Sequence, residues 1–128
     1  MTRRQSTGRA ARKASAEAHL PLKPVWFHVL LTLAGGTAHG YGIRQQVEER
    51  TAGAIRLWPT TLYGTLARLE AAGLIEEADV RGPADDVPRR FYRMTALGRE
   101  VLALETDRLA ALVRESKARQ SGTRPREA

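Results

Sequence analysis

The chain of 128 residues is long enough for one compact domain with tails and too short for a two-domain enzyme. It contains no cysteine, which excludes a disulfide frame, a thiolate nucleophile and thiolate zinc ligands. The formal net charge of +7 points to a polyanionic partner, yet residues 20–116 carry 12 basic and 12 acidic side chains, so the excess lies at the two ends.

Residues 1–20 hold Arg3, Arg4, Arg9, Arg12 and Lys13 against Glu17 and read as a basic, disordered tail. The apolar run from Val25 to Ala34 follows this tail as it would in an export signal. It is short, broken by His28 and continued by a patterned domain, so it reads as a core helix, and it is too short to span a bilayer. Pro24 to Ala34 therefore forms the first helix, stopped by Gly35-Gly36. Gly40 to Arg50 reads as a second, with Tyr41, Ile43 and Val47 inward, Arg44, Gln45, Glu48 and Glu49 outward, and Gly53 past its end.

A third helix opens at Trp58-Pro59-Thr60-Thr61-Leu62-Tyr63, where Thr60 or Thr61 is set to cap free backbone N–H groups, and stops before Gly73. Leu62, Leu66 and Leu69 share an arc of about 60° at 100° per residue, which leaves Thr60, Tyr63, Gly64, Ala67 and Arg68 on the opposite side. One face belongs to a core and the other to solvent.

Leu74 to Val80 and Arg89 to Met94 then read as a two-stranded hairpin with a long tip. Thr95 caps a last helix over 95–118, in which Leu97, Val101, Leu102, Leu104, Leu109, Leu112 and Val113 spread over about 180° of the wheel. That stripe is wider than one neighbouring domain covers. A portion of it is expected to pack on its own domain, and Val101, Leu102, Leu104, Leu109, Leu112 and Val113 mark the candidate surface for a second copy of the chain. Residues 119–128 read as a second disordered tail.

Three helices followed by a hairpin, with the third helix half exposed, is the order of a winged helix-turn-helix domain, here over residues 21–94. The fold class is mainly α with a small β-hairpin and a C-terminal dimerisation helix. Four stretches resemble PadR-type transcriptional regulators: His39-Gly40-Tyr41-Gly42-Ile43, Thr61-Leu62-Tyr63-Gly64-Thr65-Leu66-Ala67-Arg68-Leu69-Glu70, Gly73-Leu74-Ile75, and Arg90-Phe91-Tyr92-Arg93-Met94-Thr95-Ala96-Leu97-Gly98-Arg99. Their order and spacing cover roughly residues 22–114. The resemblance implies a cytoplasmic homodimer, paired through the helix from Thr95, that represses until a small apolar or aromatic effector binds.

For a helix to enter a major groove, its exposed N-terminal residues must be small or able to hydrogen-bond. Thr60, Thr61, Tyr63, Gly64 and Arg68 meet that condition, and Arg89 and Arg90 are the candidate wing contacts to a double-stranded, pseudo-palindromic operator. Charge sign is segregated locally. Three arginines and no acid lie between Arg50 and Leu69, and four arginines and no acid between Val87 and Arg99, while Glu70 to Asp86 holds six acids and only Arg81. A neutral domain can thus present a positive helix and strand with its acids turned elsewhere. Asp85 and Asp86 set the wing tip against this, since a phosphate backbone repels them.

An effector pocket between the reading domain and the last helix follows from the resemblance, with Trp26, Phe27 and Trp58 as candidate lining. His19, His28 and His39 lack metal-ligand spacing, and the chain carries no phosphate loop, nucleophile elbow or paired-carboxylate motif, so neither a cofactor nor an enzymatic activity is expected. A protein-binding winged helix without specific DNA binding is the competing class, supported by the neutral central segment.

Overall fold

The computed structural model describes residues 2–78 and 90–122. The elements run α1 (Thr2–Glu17), α2 (Pro24–Ala34), β1 (Ala38–His39), α3 (Gly40–Arg50), α4 (Pro59–Ala71), β2 (Ile75–Ala78), β3 (Phe91–Met94) and α5 (Ala96–Gln120). Punctuation in the sequence sets most of these limits. Pro24 and Pro59 occupy the first turns of α2 and α4, where a missing N–H costs nothing. Gly53 and Gly73 adopt φ of +82° and +80° just beyond α3 and α4, a conformation that a side chain disfavours.

The core joins these elements into one unit. Val29, Leu30 and Leu33 of α2, Ile43 and Val47 of α3, Leu57, and Leu62, Leu66 and Leu69 of α4 are buried together with Leu74, Ile75, Tyr92, Met94 and Val101. The three-helix reading holds, and so does the leucine face of α4.

The sheet has three strands in the order β1-β3-β2, both pairings antiparallel. Ile75 stands opposite Met94 and Ala78 opposite Phe91, giving the expected hairpin arms. A third strand joins the two-stranded hairpin expected from the sequence: Ala38 and His39 pair with Tyr92 and Phe91, so the returning arm of the wing is bonded on both edges. Two residues carry no alternation to read, and only tertiary pairing makes them a strand.

The N-terminus differs from the sequence reading of a disordered tail. Thr2–Glu17 is helical, and Ala16 is fully buried in the common core. Arg9 to Ser15 are all exposed, so over these residues the helix has no buried stripe for a periodicity reading to find. The connection after it is tied down by Glu105 of α5, a buried carboxylate that accepts a hydrogen bond from the Leu22 N–H at 2.9 Å and is chelated by Arg108. Hydrogen bonds from the Arg108 guanidinium, aided by the Leu22 amide and opposed by burial, hold the Glu105 carboxyl below its ordinary range. At the other end, α5 continues through Gln120, two residues into the expected tail.

Candidate nucleic-acid interface

The buried face of α4 is Leu62, Thr65, Leu66 and Leu69. With those four turned inward, the helix must present Thr60, Thr61, Tyr63, Ala67 and Arg68 to solvent, and all five are exposed. The threonines do not cap the helix. Trp58 occupies the N-cap position in extended backbone and makes no side-chain cap hydrogen bond. Pro59 has already removed one free N–H, which lowers the need for a capping side chain and leaves both threonine hydroxyls outside that role.

Tyr63 is 52% exposed, and its ring lies over the start of α3: a Cβ added at Gly40 would stand 3.1 Å from the Tyr63 hydroxyl. Gly40 thus lets the two helices approach, and the phenol keeps its outer edge in solvent. Gly64 makes similar room on α4 itself, where a Cβ would meet the Arg68 guanidinium at 3.7 Å. The guanidinium lies back across a smooth patch of helix.

Two neighbours extend this face beyond the residues expected from sequence. Tyr41, which the sequence pattern places inward, is instead 63% exposed and stacks on His39 with ring centroids 6.4 Å apart. At 100° per residue Tyr41 stands about 200° from Ile43 on the wheel, so the periodicity of α3 already argued for the outside; its apolar character obscured that. His39 is the N-cap of α3, with Nδ1 accepting from the Gly42 N–H at 3.0 Å. Arg44 lies 5.7 Å from the Trp58 ring centroid in a cation–π contact.

The wing corrects one electrostatic expectation. Glu76 and Glu77 are not turned away from the arginines but sit on the adjoining strand: Glu76 Oε2 is 2.8 Å from Arg93 Nε, and Glu77 Oε1 is 3.9 Å from Arg90 Nε. The Tyr92 side chain and then Glu77 raise the Arg90 pKa above its ordinary value, while burial raises that of Tyr92. Arg90 is still mostly exposed. Arg89, Asp85 and Asp86 lie outside the described residues.

The proposed dimer stripe divides in two. Val101 is fully buried in its own domain, and Leu102 and Leu104 pack partly against that core. Leu109 is half-buried, and Leu112 and Val113 are about half exposed on a stretch of α5 whose residues 111–120 are all exposed. Val101 is therefore withdrawn from the surface offered to a second copy. The effector candidates also separate. Trp26 and Phe27 pack on the core from α2, Lys23 lies 5.7 Å from the Trp26 ring centroid, and Trp58 is 59% exposed beside Arg44. An open apolar groove of about 470 Å³ lies elsewhere, between Ala34, Met94 and the α5 residues Arg99, Leu102, Ala103, Thr106 and Asp107.

A helix-turn-helix with a bonded wing, a third helix whose outward face is polar and a long appended helix defines the winged-helix class of proteins. Residues 29–104 match the model of the transcriptional regulator PadR-like family, and the chain belongs to that family, whose members are regulators and not enzymes. It is 39% identical over 101 residues to the transcriptional regulator Rv3488 of Mycobacterium tuberculosis, covering 77% of this chain and 88% of that protein. It is also 39% identical over 84 residues to an uncharacterised 37.1 kDa protein in a Streptomyces fradiae transposon. That match takes in 66% of this chain but only 22% of the longer protein. The crystal structure of a PadR family transcription regulator from Clostridium difficile superposes with a TM-score of 0.65 at 22% identity, over 74% of this chain and 96% of that one. Among the described residues no helix is long and apolar enough to cross a membrane.

Proposed function

We propose that the chain is a dimeric, sequence-specific DNA-binding repressor whose α4 enters the major groove. The observation that carries this is the two-sided α4: Leu62, Leu66 and Leu69 anchor it, and the outward residues from Thr60 to Arg68 are hydroxyls, a phenol, a glycine, an alanine and a guanidinium, with the acid Glu70 part-buried at the end of the helix. In this reading Thr60, Thr61 and Tyr63 meet base edges or phosphate, Gly64 permits close backbone approach, and Arg68 pairs with phosphate. Arg90 reaches the backbone or minor groove from the wing, and Arg89 is assigned the same role from its place in the sequence.

Leu102, Leu104, Leu109, Leu112 and Val113 supply the contact with a second copy. A two-fold dimer then requires a pseudo-palindromic operator. An effector small enough for the groove beside Met94 and Leu102 would be apolar or aromatic and would act on the position of α5. Charge at the wing supports DNA less strongly than α4 does, because Glu76 and Glu77 already accompany its arginines.

Selection of bound duplexes from a random pool tests the reading directly. Two related half-sites about one helical turn apart are expected, with Tyr63→Ala weakening binding about tenfold or more while leaving the dimer intact. Failure to enrich any sequence, with retention by a protein partner instead, would replace DNA with protein as the ligand of α4.

A further inference from the structure

If α4 reads DNA and α5 joins two copies, some contact must convert the pairing of α5 into a defined distance between the two α4 helices. Thr95 stands where the two meet. Its Oγ1 donates to the Gly73 carbonyl at 2.6 Å and accepts from the Gly98 N–H at 3.0 Å, and its own N–H donates to the Leu74 carbonyl at 3.1 Å. One residue thus caps α5 and holds the turn that ends α4. Gly98, one turn on, reinforces the junction: a Cβ there would overlap the Leu74 carbonyl, so the first turn of α5 rests directly on backbone.

A single hinge point would leave α5 free to swing. The second attachment is Glu105, ten residues along the same helix, whose buried carboxylate takes the Leu22 N–H ahead of α2. Beyond it α5 projects into solvent with Leu112 and Val113 exposed. A helix fixed at Thr95 and again at Glu105 cannot pivot on the reading domain without breaking one of these sets of bonds. The rise of 1.5 Å per residue separates the two points by about 15 Å, long enough to fix direction as well as position.

We propose that Thr95 is a positioning residue that, with Glu105 as second anchor, sets the half-site spacing this regulator accepts. The proposal rests on the dimeric DNA-binding reading above. It assigns to Thr95 no contact with DNA, effector or partner subunit; its effect passes through the end of α4. Local stability alone would not predict spacing control.

The experiment uses the full chain and a series of duplexes carrying the selected half-sites moved apart one base pair at a time, each step shifting a half-site by about 3.4 Å. Wild type is expected to bind one spacing best. Thr95→Val removes the hydroxyl at nearly constant volume. It should keep the half-site preference and the dimer but shrink the affinity ratio between the best and next spacing by about threefold to tenfold, the factor carried by one or two net hydrogen bonds. Thr95→Ser, which restores the hydroxyl, should restore the ratio.

Glu105→Gln keeps an acceptor for Leu22 but loses the charge that holds Arg108, and should move the ratio the same way by less. It also supplies the readout if Thr95→Val does not fold. A lower melting temperature with an unchanged spacing ratio in the folded variants would overturn the proposal and leave Thr95 a helix cap. Absence of any specific binding by wild type would instead overturn the reading beneath it.

Discussion

Helices α4 and α5 both leave a large surface uncovered, and of the two only α5 exposes large aliphatic side chains there, Leu112 and Val113 among charged neighbours. The open face of α4 is hydroxyl, phenol and guanidinium on a helix whose reverse side is four buried residues deep in the core. Over residues 96–105, α5 is held to its domain, with Val101 and Glu105 buried, and beyond residue 110 it is exposed with Leu112 and Val113 on its surface. Exposure of polar groups on a rigid mount suits a polar ligand that must be met in one orientation. Apolar exposure on a projecting helix suits a second apolar helix.

The contrast is tested most severely on α5. Changing Leu112 and Val113 together to Asp should leave the fold intact, since neither is buried, yet prevent pairing. Sedimentation should then show a monomer, and operator affinity should fall about a hundredfold or more as the second half-site becomes an independent event. A dimer that survives both charges would move the interface away from this stretch.

On α4 the corresponding break is internal. Leu66→Ala removes a fully buried side chain and should cost about 2–5 kcal/mol in urea unfolding, without creating a new surface.

The contact between α2 and α3 supplies a smaller and pH-dependent effect. Arg50 donates to the His28 carbonyl at 3.2 Å and to Thr32 Oγ1 at 3.1 Å. Burial, and then the Arg50 charge, lower the His28 pKa below its ordinary 6.5. The native state therefore takes up this proton less readily than the unfolded chain. The stability linked to His28 is present above pH 6.5 and is lost as pH falls through the native value. Urea midpoints at pH 7.5 and 5.5 should differ less in His28→Gln than in wild type.

The smallest effect belongs to the wing. Removing the charge of Glu77 frees Arg90 from the carboxylate 3.9 Å away, so Glu77→Gln should tighten DNA binding within about threefold, the range of an exposed ion pair. The gain should vanish in Arg90→Ala.

The sequence was most readable where proline, glycine and leucine spacing coincide. Pro24, Gly40, Pro59 and Gly73 mark α2, α3 and α4 closely because each acts through local backbone geometry. The outward residues of α4 were legible for the same reason, since the leucine arc leaves them no other side. What escaped depends on contacts remote in sequence or, for Tyr41, on an apolar character that outweighed its place on the wheel. Helix α1 buries Ala16 but little else among residues 9–15, Tyr41 is apolar enough to resemble a core residue, and Glu105 is a charged group that only Leu22 and Arg108 make burial-competent. Arg90 and Glu77 differ in kind: their charges were legible, but the register that brings the two strands side by side was not.

The two-residue strand β1 bears on how the molecule folds as well as on its shape. Ala38 pairs with Tyr92 across nearly the whole winged-helix domain, so the pairing of β1 with the central strand closes only once α3 and α4 are in place between them. Contacts that span so much chain form late, because the loop they close must be ordered first. The wing is accordingly expected to exchange its Phe91 and Tyr92 amide protons at rates near those of global unfolding, and not as a separately opening hairpin. The segment that looks most like an appendage is kinetically bound to the helices it follows.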